Sequence, residues 1–457
     1  MLDLSQSLAI AIFVAMFVAI IVGKVHRFVP ALLAAALVIF VVLLGVMKSP
    51  TAVVDVLNLH QLIEFRFWIP GHEPLESRGV NWQTIIFIAG MMMMVEALGH
   101  VGFFRWLCLH VAKLVGYRVV PILIAFMLLS GFLAMFIDSI TVLLFLASVT
   151  IEMSRMLKFD PVPVIIAEIF ASNVGGAATM SGDPPNIIIG TAFGYTFTDF
   201  ITNTGVIAWA GMAVAVVYFY FACRKTLVAS TKGSAAAHTP YPHPREAIVN
   251  RPLFMLSAAI FILVVILLIT HAQSGLSVAT IGVIAAGLTM LAAGLVKGGS
   301  PSYIVKRLDW RTLLFFVGLF ICVGGLEQTG VLTRLAEYIG QVSGGNIIVV
   351  MSIILWLSAF ASAIVDNIPF AATMVPVIAN LSQTAGFSLP TLSWTLALGT
   401  DIGGNGTPIG ASANVVGTAI SEREGHPITW GRYLKYALPA MLIVVGLCQV
   451  LLIVLYA

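Results

Sequence analysis

The chain has 457 residues, of which 60% are apolar and only 9% charged, with a formal net charge of +3. An ordinary soluble domain is about 25% charged, and the mean hydropathy here is +1.04. So much apolar surface excludes a water-soluble enzyme, a secreted disulfide scaffold, a nucleic-acid binder and a disordered chain, and makes lipid the solvent for most residues. A bilayer core about 30 Å thick needs about 20 apolar residues per helix. Runs of that kind predict spans near 7–23, 28–47, 83–98, 205–223, 252–270, 276–296, 311–326 and 433–456. The first starts at Leu8 with no basic residue ahead of it and reads as a span, not a removed signal peptide. Residues 48–81 read as either an extracellular cap or part of a dimer contact. Mixed stretches near 100–117 and 328–344 predict interfacial helices. Stretches 119–152, 162–195, 346–380 and 391–420 are apolar but interrupted midway by polar residues and glycines. The polar segment 226–250 reads as a linker between halves. Cys108, Cys223, Cys322 and Cys448 sit in apolar runs without CxxC spacing and read as small hydrophobes.

A shift of 228 positions superposes the chain on itself. Trp82 falls on Trp310, Gly90 on Gly318, Ser130 on Ser358 and Asp138 on Asp366. GGAATMSGDPPN, from Gly175, falls on GGNGTPIGASAN, from Gly403, pairing Thr179 with Thr407, Gly182 with Gly410 and Asn186 with Asn414. Apolar composition does not put Trp, Asp, Asn and Gly in register, so the chain is read as a duplication. Five crossings per half, with a hairpin that returns to its own side, place 19 of the 23 Lys and Arg on one side of the membrane. That is the bias of the positive-inside rule, and it puts both termini outside the cytoplasm. An odd number of crossings turns the second half upside down, a hallmark of secondary transporters.

The predicted fold is therefore all-α and polytopic. Two inverted-topology repeats each hold five crossings, a re-entrant helical hairpin and a broken helix. The first repeat is 1–225, with scaffold helices in 1–118, a transport part at 119–200 and a helix at 205–225. A cytoplasmic linker covers 226–250. The second repeat is 251–457, with scaffold helices in 251–345, a transport part at 346–420 and a helix at 433–456.

Asp138 and Ser139 interrupt one apolar run, and Asp366, Asn367 and Pro369 interrupt its copy. A charge at the bilayer centre costs about 2.5–3.5 kcal/mol or more. One such carboxylate is explained by a neighbouring helix; two at the same repeat position point to hairpin tips lining a site. The glycines and prolines of 171–190 and 399–417 cannot form a straight helix, and lipid offers the freed backbone groups no partner. Such backbone lines a cavity and binds a ligand. A backbone cradle is expected from Gly175, Gly176, Gly182, Gly403, Gly404, Gly406 and Gly410. Side-chain ligands are expected from Asn173, Thr179, Asp183, Asn186, Asp401, Asn405, Thr407, Ser412 and Asn414. Glu96, Glu168, His100 and His110 carry weaker signals, Glu168 as a proton-relay group.

Crossed inverted halves would enclose Asp138, Asp183, Asp366 and Asp401 together. Four carboxylates cannot all stay charged there, so protons or a cation must neutralise some of them. These acids repel a polyanion such as citrate and suit a small neutral hydroxylated solute or a monovalent cation. An intramembrane protease is disfavoured, because Met180 stands where GxGD needs glycine. No cofactor and no metal centre are expected.

SNVGGAATMSGDPPNIIIG and GGNGTPIGASANVVG, with FIDSITVLL and IVDNIPF, closely resemble the arsenite permease (ArsB)/P protein family of the ion transporter superfamily. The Asp-Ser first tip and GDPPN lean towards its P-protein side. The resemblance covers nearly the whole chain. It implies a homodimer with a static scaffold and an elevator-like moving part, in the bacterial cytoplasmic (inner) membrane. It also implies proton-coupled efflux of arsenite or antimonite, with a sodium/proton antiporter as the alternative and a soluble ATPase partner in the arsenite reading. The positions carried over are Asp138 and Ser139, Asn173 to Asn186, Asp366 and Asn367, and Asp401 to Asn414. Neither motif holds a cysteine, so the substrate expected is neutral As(OH)₃, hydrogen-bonded and not thiolate-bound.

Overall fold

A computed structural model describes residues 3–69, 79–231 and 242–457, with the side chains of 229–231 excepted. Part of the expected linker (232–241) and of the 48–81 segment (70–78) lies outside the described residues. Among the described residues the regular structure is helical throughout, and ten helices are long and apolar enough to cross a membrane. They include Leu4–Val22, Phe28–Val46, Trp82–His100, Arg251–Ile269, Val278–Leu295, Trp310–Gln328 and Trp430–Tyr456. Their outer faces carry bare apolar side chains such as Phe40, Leu295 and Val454, 68%, 76% and 74% exposed. In water such a surface would drive aggregation; against acyl chains it costs nothing.

The interrupted stretches fold as two helical hairpins and two broken helices. The first hairpin is Val119–Ala134 and Ser139–Leu157; the second is Ile347–Ile364 and Asn367–Ala385. Asp138 and Asp366 stand just before the second arm of each, where a carboxylate accepts the backbone N–H groups left free at a helix start. The broken helices are Val162–Gly176 with Pro184–Phe193, and Leu389–Gly403 with Ser412–Arg423. Every residue of Val162–Gly176 is buried, as is every residue of 391–403. These first arms of the broken helices are buried throughout these stretches, although they carry Glu168, Asn173 and Asp401.

Contacts repeat at the 228-residue spacing. Asn186 Nδ2 donates to the Gly176 and Thr179 carbonyls at 3.1 and 3.0 Å, and Asn414 Nδ2 to those of Gly404 and Thr407 at 2.7 and 2.8 Å. Thr179 donates to the Met135 carbonyl of the first hairpin, and Thr407 to the Ala363 carbonyl of the second. The halves interlock: Trp82–His100 packs on Val278–Leu295, and Trp310–Gln328 packs on Phe28–Leu37. The two stretches expected at the interface form short one-sided helices, Phe103–Leu114 and Val331–Ser343. Within the 48–81 segment, the Trp68 carbonyl accepts from Ser277 N at 3.1 Å and Thr280 Oγ1 at 2.6 Å, which ties that segment to the second half of the same chain.

Candidate functional site

The two hairpin tips meet at Asp183, which precedes Pro184 at the start of the second half of the first broken helix. Asn367 Nδ2, from the second tip, donates to Asp183 Oδ2 at 2.8 Å. Ser139 Oγ, from the first tip, reaches Asp183 Oδ1 at 3.5 Å. Asp138 caps its own helix, accepting Thr141 N at 3.1 Å and Thr141 Oγ1 at 2.7 Å. Asp138 and Asp366 both lie within electrostatic reach of Asp183.

Arg27, in the short link between the first two spans, reaches into this site. Its Nη1 donates to Asp366 Oδ2 at 2.6 Å and to Ser412 Oγ at 2.9 Å, and its Nη2 to Thr312 Oγ1 at 3.1 Å. Ser412 in turn donates to Asp366 at 3.0 Å, and the guanidinium lies 4.9 Å from the centre of the Phe315 ring. Sequence reasoning missed Arg27 and Thr312, because a basic residue between two spans reads as an interfacial anchor. The available hint was Asp309, the repeat equivalent of Asn81, which together with Arg27 puts opposite charges at the same end of the helices.

A cavity of about 50 Å³ lies between the tips, lined by Arg27, Asp138, Ser139, Asp183, Asn367 and Ser412 with apolar walls from Phe87, Met91 and Phe316. A second, open cavity of about 540 Å³ lies towards the other end, lined among others by Asn81, Phe320, Glu327, Asn380 and Gln383. One helical turn separates them. Ile187, Phe316 and Ile368 face the small cavity, while Ile188, Phe320 and Ala372 face the large one.

The expected ligands therefore divide. Asp138, Ser139, Asp183, Asn367 and Ser412 line the tip cavity, and Asp366 joins it through Arg27. Asn173, Asn186, Asp401, Asn405 and Asn414 form a deeper cluster in which every residue is fully buried; Asp183, at the edge of the tip cavity, is the neighbour of Asp401. Asn173 Nδ2 donates to both Asn405 Oδ1 and Asn414 Oδ1 at 2.9 Å. Thr179 and Thr407 are spent on hairpin carbonyls. The expected cradle glycines give close backbone packing: a Cβ on Gly182 would sit 2.5 Å from the Gly176 carbonyl oxygen, and one on Gly410 2.4 Å from that of Gly404. Gly406 instead packs against side chains, those of Ala363 and Met441. Asn414→Ala is expected to lower stability by about 1–3 kcal/mol, because the Gly404 and Thr407 carbonyls lose their donor in a dry interior. A thermal midpoint unchanged by the substitution would refute this.

Of the weaker candidates, Glu168 is fully buried away from the tips, with Oε1 taken by the Thr150 hydroxyl. Glu96 faces Arg307 at 4.0 Å, and His100 lies 4.4 Å from the Tyr303 ring. The four cysteines are free and buried.

A family model described as Citrate transporter matches residues 17–399. The chain belongs to this citrate transporter family, within the ion transporter superfamily. It is 36% identical over 361 residues to an uncharacterized transporter of Mycobacterium tuberculosis, covering 78% of this chain and 82% of that one. It is 25% identical over 434 residues to an uncharacterized transporter of Synechocystis, covering 90% of this chain and 94% of the relative. The P protein of Sus scrofa is 29% identical over 472 residues, covering 83% of this chain and 54% of that protein; this agrees with the P-protein side of the resemblance. The expected superfamily and the likeness to P protein are both found, and the family that the chain matches is the citrate transporter family. Among solved structures, the Alcanivorax borkumensis YdaH transporter matches with a TM-score of 0.52 at 14% identity, over 81% of this chain and 84% of that one, which shows a shared fold. The chain of this citrate transporter family member is a multi-pass membrane protein and a secondary transporter, not an enzyme.

Proposed function

We propose that the protein exports a small, uncharged, hydroxylated solute of the arsenous or antimonous acid class in exchange for protons. The observation that carries this reading is the tip cavity. It sets Asp138, Asp183 and Asp366 against the single guanidinium of Arg27, itself already paired. Hydroxyl groups donate to carboxylates, so a trihydroxy solute finds acceptors from both tips and from the break between them. At about 50 Å³ the cavity suits a few heavy atoms rather than a citrate-sized solute.

The transport cycle we envisage moves the two hairpins and broken helices against the remaining helices, as an elevator within a homodimer in the bacterial inner membrane. Its support is the placement of one cavity on each side of a single-turn barrier. In the orientation given by the basic residues, the 540 Å³ cavity opens outside the cytoplasm. Arg27 favours one second reading, in which an anionic solute such as citrate displaces Asp366 from the guanidinium.

Everted vesicles decide between the two. With an acid interior they are expected to accumulate arsenite, with uptake falling at least tenfold in Asp138→Asn and Asp366→Asn. Citrate uptake without arsenite uptake would replace the first reading with the second. Sodium-driven proton movement with neither solute would favour the antiporter.

A further inference from the structure

Positions 173 and 401 are equivalent in the duplication, and so are 414 and 186. The counterparts of the hydrogen-bonded pair Asn173 and Asn414 are therefore Asp401 and Asn186. In the first pair, Asn414 spends both amide hydrogens on the Gly404 and Thr407 carbonyls, which turns its Oδ1 towards the Asn173 N–H at 2.9 Å. In the second pair, Asn186 spends its amide hydrogens on the Gly176 and Thr179 carbonyls, so it too presents only Oδ1. The residue it meets is a carboxyl. Asn186 and Asp183 are the side chains that act on Asp401 at close range. Asp401 is fully buried, and among the described residues neither of its oxygens, nor Asn186 Oδ1, has a hydrogen-bond partner. Acceptor faces acceptor in a dry interior, which is costly unless a hydrogen lies between them.

We propose that Asp401 is the proton-carrying carboxyl of the transporter, its O–H donating to Asn186 Oδ1 where the other half uses the N–H of Asn173. Loading adds one proton to the carboxylate and unloading removes it; no other bond changes. Asp183 already accepts from Ser139 and Asn367, whereas Asp401 has no donor among the described residues, so ionising both would set two negative charges side by side without a counter-ion and the proton is assigned to Asp401. Among the helices packed on Leu389–Gly403, Ile347–Ile364, Asn367–Ala385 and Pro184–Phe193 carry no ionisable side chain. Val162–Gly176 brings Glu168, which faces Thr150. Trp430–Tyr456 brings Arg432, paired with Asp160, together with Lys435, Cys448 and three tyrosines, none of which acts on Asp401.

This assignment rests on the proton-coupled reading, but its test measures no flux, so a protein that moves no arsenite can still pass it. Infrared spectra of the full chain in lipid nanodiscs, in H₂O and D₂O, resolve the carbonyl stretch of a protonated carboxylic acid. Asp401→Asn is expected to fold, since asparagine already fills the equivalent position 173, and to remove one such band. Asp183→Asn is expected to keep it. A spectrum unchanged in Asp401→Asn overturns the proposal. In the wild-type protein the thermal midpoint is expected to be the same in sodium chloride and choline chloride. A saturable, sodium-specific rise overturns it too, by putting a metal cation where the proton is assigned.

Discussion

Gly175→Val is expected to abolish recovery of folded, monodisperse protein. A Cβ at this position would sit 2.1 Å from the Gly131 carbonyl oxygen and 2.4 Å from the Gly131 Cα. Those are backbone atoms of the first hairpin, and no rotamer change moves them. Overpacking that side chains can absorb costs about 1–3 kcal/mol; here the two helices must separate, so a loss above about 3 kcal/mol is expected, a large share of the total stability of a domain. Gly403 is held in the same way, 2.2 Å from the Ala359 Cα, and its substitution should match. Gly446→Ala is the control. Nothing lies within 4 Å of that position, and it is inside Trp430–Tyr456, so it should be neutral or stabilising by about 0.5–1 kcal/mol. Size-exclusion profiles and thermal midpoints read all three. A monodisperse Gly175→Val protein with the wild-type midpoint would mean that the hairpin and broken helix do not touch here.

Arg27→Ala is expected to destabilise the protein by about 2–4 kcal/mol, somewhat less than a fully buried broken ion pair because both side chains keep some solvent contact. The side chains of Arg27 and Asp366 are 20% and 15% exposed. Without the guanidinium, Asp366 keeps, among the described residues, the Ser412 hydroxyl and the Ile368 N–H, at 3.0 and 3.3 Å. Arg27→Lys retains the charge but cannot span Asp366, Ser412 and Thr312 at once, so it should recover only part of the loss. In a double-mutant cycle, Asp366→Asn in the Arg27→Ala background should cost less than it does alone, with a coupling of about 1–3 kcal/mol. Additive losses would show that the pair contributes nothing to stability.

Much of the architecture was legible in the residues. Apolar runs of bilayer length are a solvent requirement, and all of the stretches read as spans are helical. The Asp138 and Asp366 interruptions became hairpin tips because a carboxylate that cannot face lipid also caps a helix start. The Gly-Pro runs became breaks for the same reason that they could not be helices. What the residues did not show was partnership. Thr179 and Thr407 read as ligands, yet each spends its hydroxyl on a hairpin carbonyl, since every backbone oxygen freed near a break must find a donor. Arg27 lies 339 positions from Asp366, and nothing local in the chain relates the two.

The sequence alone determined that this protein lives in lipid, that its motifs recur at a spacing of 228 residues, and that acids and glycine-proline interruptions fall at matching points of that recurrence. Periodicity, hydropathy and register are properties of the chain read along its length. The tertiary structure alone decided that these acids fall into two places, a tip cavity closed by Arg27 and a deeper cluster around Asp401. Which donor meets which acceptor depends on helices brought together across hundreds of residues, and in a medium without water that pairing settles what each polar side chain can do.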